Sequence, residues 1–120
     1  MDEFNYRITE QIYEWIKSGS KNIEIRFYNK KSSKIKINDI INFKVLDNDE
    51  KSIKVKVIGL LIYQDIESLL KDVNLNKIAE VNKDTLIDML YNIFGEKKVK
   101  THNIIGIKFE LVGDCKWLIF

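Results

Sequence analysis

Ile12, Trp15 and Ile16 fall at i, i+3 and i+4 just ahead of Gly19. That spacing predicts a helix from about Glu10 to Lys17, capped by Thr9 and stopped at the glycine. The period then drops from 3.6 to 2. Over Asn22–Tyr28, Ile23, Ile25 and Phe27 alternate with Glu24 and Arg26, the mark of a half-buried strand. A polar Asn-Lys-Lys-Ser-Ser run reads as a loop, and Ile35 and Ile37 alternate with lysines as a second short strand before an Asn38-Asp39 turn. Ile41, Phe43 and Val45 form a third, joined through Asp47-Asn48-Asp49 to Ile53, Val55 and Val57 as a hairpin. Gly59 within the apolar run Ile58–Tyr63 marks a bulge or a corner.

Two helices are expected next. Asp65–Val73 places Ile66, Leu69 and Leu70 on one face, and Asp84–Phe94 groups Leu86, Ile87, Leu90, Tyr91 and Phe94 before a left-handed cap at Gly95. Glu96–His102 reads as a basic loop. Ile105, Ile107, Phe109 and Leu111 alternate as a strand, and Asp114–Phe120 reads as a last edge strand. The sum is an α+β chain, read as one domain over residues 1–120: a small, mostly antiparallel β-barrel of five or six strands with flanking helices.

Charge changes this picture locally. The net charge is only +2, yet Lys17, Lys21, Arg26, Lys30, Lys31, Lys34 and Lys36 face Glu24 alone between positions 17 and 36. Such a sector can hold a polyanion without general stickiness, or simply be a solvated face. Cys115 stands alone, which rules out an internal disulfide, and one cysteine with one distant histidine argues against a metal site. No run approaches the ~20 apolar residues of a membrane span, and the acidic start lacks a signal-peptide core, so a cytoplasmic protein is expected. No motif for a cofactor or for sequence-specific DNA recognition stands out.

The segment Ser18-Gly19-Ser20-Lys21-Asn22-Ile23-Glu24-Ile25-Arg26 carries the candidate chemistry. Residues two apart on a strand point the same way, so Glu24 and Arg26 share a face, with Lys21 in the turn before them. One carboxylate and two cations in a small volume could hold a phosphate or a base edge, the carboxylate accepting from an amino group. A solvent-facing ladder of ion pairs fits the same spacing. Lys30, Lys31, Lys34 and Lys36 would extend the electrostatic footprint, while Tyr28, Tyr63 and His102 are candidate stacking platforms.

The same run resembles the opening motif of the ASCH family, a helix followed by G-x-K-x-x-E-x-R. Ile35–Phe43 resembles that family's basic strand leading into G-D-x-I-x-F, with Asn38 in place of the glycine. The valine-rich Lys54–Gly59 and the closing strand Ile104–Leu111 follow in family order. The resemblance implies a PUA-like barrel with a cleft beside Lys21, Glu24 and Arg26 that recognises RNA or a nucleoside. It also implies an alternative, a small hydrolase similar to N4-acetylcytidine amidohydrolases or to ribonucleases. There Lys21 would match a catalytic lysine and Glu80 a distant catalytic glutamate. Glu24 occupies the place of the threonine nucleophile. A third alternative is a regulatory module that binds protein, or forms a homodimer, through the C-terminal strand.

Overall fold

The computed structural model describes residues 2–112, and the sequence-predicted strand at 114–120, with Cys115 and Trp117, lies outside them. Among the described residues five strands form one mixed sheet: β1 (Glu3–Ile8), β2 (Ile23–Phe27), β3 (Ile40–Val45), β4 (Asn48–Tyr63) and β5 (Ile104–Leu111). Their spatial order is β1-β3-β4-β5-β2, with β1 parallel to β3 and every other pairing antiparallel. Four helices accompany them: α1 (Glu10–Ser18), α2 (Ile66–Asp72), α3 (Lys83–Phe94) and α4 (Glu96–Thr101). None is long and apolar enough to cross a membrane.

Among the described residues the sheet curls into a half-barrel and does not close by strand pairing, so β1 and β2 are its edges. The curvature has local causes. Ile58 is bulged out between Val57 and Gly59, where the β4–β5 register shifts. Bulges bend a strand and increase its twist. Gly106 of β5 lies where a Cβ would come within 3.1 Å of Leu69, so α2 presses directly onto the sheet there.

Two apolar clusters lie on opposite faces of the sheet. Inside the curl, Tyr6, Ile8, Ile16, Phe43, Val55, Val57, Ile105, Ile107 and Phe109 pack together. Beneath α2, α3 and α4 the second cluster holds Ile23, Phe27, Leu69, Leu86, Leu90, Val99 and Ile104. The alternation read from the sequence therefore serves two cores, not a core and a solvent face.

Several elements depart from the sequence reading. Glu3–Ile8, unassigned from the sequence, is an edge strand whose Tyr6 and Ile8 enter the core. Ile35 and Ile37 do not form a strand: a 3₁₀ turn at Ser32–Lys34 leads into irregular chain, with Ile35 buried and Ile37 about half exposed. The Asp39 carboxylate explains this, since it accepts from the backbone N–H groups of Lys36 and Asp2 and so satisfies the chain where a ladder would have. Glu96–Thr101 is helical instead of a loop. Gly95 has φ 90° and ψ 138°, so it joins α3 to α4 in a glycine-favouring conformation other than the expected left-handed cap. Asn38, at φ 78°, does adopt a positive φ in its turn.

Candidate ligand cleft in the barrel seam

Three features set the geometry at the start of β2. Gly19 takes φ 88° and ψ 0°, ends α1 in the left-handed conformation and reverses the chain toward the sheet. Asn22 N donates to Lys77 O at 2.8 Å, which seats the segment before α3 against this turn. In β2, Ile23 and Phe27 face the helices, so period-2 alternation turns Glu24 and Arg26 to the opposite face, at the open side of the barrel.

Lys21 is only 4% exposed and Glu24 5%. The Lys21 ammonium donates to Ile23 O at 2.6 Å and Ile78 O at 2.8 Å, and meets Glu24 Oε1 at 3.1 Å. Three donors thus have three acceptors, which completes what a lysine can offer. Glu24 Oε2 accepts from Arg26 Nε at 2.8 Å and lies 2.6 Å from its Nη2. Burial pushes the Lys21 ammonium below the usual lysine range, an effect the Glu24 carboxylate partly offsets. Burial also disfavours the charged form of Glu24, but Lys21 and Arg26 outweigh it and hold the carboxyl below its ordinary range. The cluster therefore sets two basic groups against one carboxylate.

Arg26 also closes the barrel. Its Nη2 donates to Arg7 O on β1 at 3.1 Å, and Lys31 Nζ donates to Asn5 O on the same strand. Asp2 O accepts from Ile40 N of β3 and Ile8 O from Leu46 N just after it, so Asn5 and Arg7 turn their carbonyls to the open edge, where these two side chains donate to them. Both cations also lie over the Tyr6 ring, Arg26 at 4.3 Å and Lys31 at 4.0 Å. The unpaired edge of β1 is covered by side chains instead of a strand.

Between the two edges lies a cleft of ≈ 330 Å³. One wall comes from β1 and α1 (Arg7, Ile8, Thr9, Ile12, Trp15), the floor from Lys21, Glu24, Ile25 and Arg26. The other wall is Ile78 and Ala79 with Leu86, Met89, Leu90, Ile93 and Phe94 of α3. Leu46, half exposed, and Ile93, two-thirds exposed, stand at its mouth. A small-molecule site is usually such a concavity, apolar for the most part with a few convergent polar groups.

The other sequence candidates lie elsewhere. Glu80 accepts from Ser20 Oγ at 2.6 Å in a separate shallow hollow with Leu75, Asn76, Val81 and Asn82, and does not line the cleft. Tyr63 donates to Asp72 at 2.7 Å at the foot of α2. His102 packs 5.8 Å from the Phe27 ring and neighbours Thr101. Lys30, Lys34 and Lys36 are exposed around the 3₁₀ turn, outside the cleft lining. Sequence reasoning missed the α3 wall and the β1 edge. Alternation of Phe4, Tyr6 and Ile8 was the available signal for β1.

No protein-family model matches the chain, and no curated protein matches it. Solved structures do. The crystal structure of hypothetical protein PH0355 superposes with a TM-score of 0.79 at 26% identity, over 93% of this chain and 100% of that one. Protein PF0455 from Pyrococcus furiosus gives 0.71 at 26% identity, over 92% and 97%. The ASCH domain from Lactobacillus crispatus gives 0.67 at 11% identity, over 92% and 79%. The fold is that of an ASCH domain. In this ASCH fold, the G-x-K-x-x-E-x-R segment forms the floor of the seam cleft, and its glutamate is paired with both its lysine and its arginine.

Proposed function

We propose that the chain acts as a single ASCH-type domain whose seam cleft binds a nucleobase, either as a nucleoside or as an unstacked base of an RNA strand. The observation that carries this reading is the Lys21–Glu24–Arg26 cluster of ion pairs at the floor of a largely apolar cleft. Buried ion pairs contribute little net stability compared with apolar packing, so their presence beside a cavity favours a role in recognition. Apolar walls take the faces of a planar ring while a polar floor reads its edge.

The roles within the cluster differ. Lys21 has no N–H left to donate and acts by fixing Glu24. Arg26 is the ligand contact, because Nη1 has no acceptor among the described residues. Glu24 supplies the remaining acceptor positions of a carboxylate. For RNA, Lys30, Lys34 and Lys36 would add phosphate contacts outside the cleft.

Calorimetric titration of the protein with the four nucleosides and short single-stranded RNAs tests this. At least one nucleoside should bind, and Arg26→Ala should weaken it tenfold or more. Strand binding should weaken with salt at a slope near −0.7 per phosphate contact, while nucleoside binding should hardly respond. No binding by any nucleoside or RNA would remove the proposal.

A further inference from the structure

The free edge of β2 runs along the cleft, and its main-chain groups can be assigned one by one. Asn22 O accepts from Phe109 N, and Tyr28 N donates to Asn103 O, both at 2.9 Å. With Glu24 opposite Ile107 and Arg26 opposite Ile105, the even-numbered residues of this stretch bond to β5. The odd-numbered residues Ile23, Ile25 and Phe27 therefore turn their N–H and C=O groups away from β5, toward the seam. Two of the three carbonyls are taken by side chains: Ile23 O by the Lys21 ammonium at 2.6 Å, and Phe27 O by Ser32 Oγ at 2.7 Å. Ile25 stands between them, lines the cleft, and has neither its N–H nor its C=O engaged by protein among the described residues.

Ile25 is half-buried and lines a largely apolar cleft, so its open main-chain donor and acceptor lie within reach of a ligand seated there. We infer that the Ile25 N–H and C=O form the reading edge of the cleft, pairing with a ligand that carries a hydrogen-bond donor and acceptor on adjacent atoms of a planar ring. This rests on the nucleobase reading above and names the chemistry that reading needs: a lactam or an amidine edge, as in uracil or adenine. In an antiparallel ladder one residue exchanges both bonds with its opposite number, so its two groups already point the same way. A ring edge takes that place here, with Arg26 and Glu24 beside it.

The same assignment argues against a peptide strand as occupant. Strand addition needs successive free carbonyls along the edge. Here the carbonyl window is one residue long, since Ile23 O is taken by Lys21 and Phe27 O by Ser32. It fits one amide-like edge.

The test is amide-detected NMR on the full chain titrated with uridine and adenosine, beside 3-methyluridine and N6,N6-dimethyladenosine, in which the donor is blocked. The Ile25 amide should shift saturably, and the methylated nucleosides should bind tenfold to a hundredfold more weakly. If nucleosides shift the Arg26 Nε and Trp15 indole signals while the Ile25 amide stays still, and methylation changes nothing, the Ile25 assignment is overturned and the nucleobase reading stands. If no nucleoside shifts any cleft resonance, the nucleobase reading fails and takes this inference with it.

Discussion

Lys21 and Lys34 are the same residue thirteen positions apart in one basic stretch, and the fold treats them in opposite ways. Lys34 ends a 3₁₀ turn and is exposed to solvent. Lys21 is 4% exposed, with every N–H accepted, two by carbonyls and one by a carboxylate. A solvated lysine adds to a field that salt screens. A buried, saturated lysine fixes the position of another charge and ties distant segments together, here β2 and the chain before α3. The positive stretch is thus two devices: an exposed loop and a buried clamp.

The largest expected effect separates them at once. Lys21→Met leaves Glu24 buried with one of its two counter-charges gone, and should cost about 3–5 kcal/mol. For a domain of ordinary stability that is a large share of the total, visible as a lowered urea midpoint. An unchanged midpoint would put the two lysines in one class.

Acid provides the second, smaller separation. The folded-state pKa of Glu24 lies below its unfolded value, so its contribution to stability is complete above the unfolded value of about 4.3 and disappears as pH falls through the folded one. Stability against pH should therefore fall below about pH 4 in the wild type, and Glu24→Gln should flatten that limb. The smallest effect belongs to the loop: Lys34→Ala should move stability by no more than about 0.5 kcal/mol.

These differences also show what the sequence could carry. α1, the turn at Gly19 and the alternation of β2 were legible because each is a local pattern: a 3.6 period, a capping glycine, a period of two. Putting Glu24 and Arg26 on one face followed from that alternation alone. The burial of Lys21 was not legible, since one acceptor is Ile78 O, 57 residues away, and a backbone carbonyl leaves no mark in the sequence. The same holds for the Arg26 bond to Arg7 O, which depends on the sheet curling until its two edges meet. Ile35 and Ile37 misled because alternation records burial opportunity, while the Asp39 side chain decided the local hydrogen bonding. α4 was obscured by five charged or polar residues in a six-residue helix that buries only Val99.

Intermolecular NOE measurement on the protein with a saturating nucleoside tests the central claim most directly. The account predicts contacts from the base protons to Ile25, Met89 and Trp15, in the seam between β1 and β2. Contacts confined to Tyr28, His102 and the lysine-rich loop would contradict it.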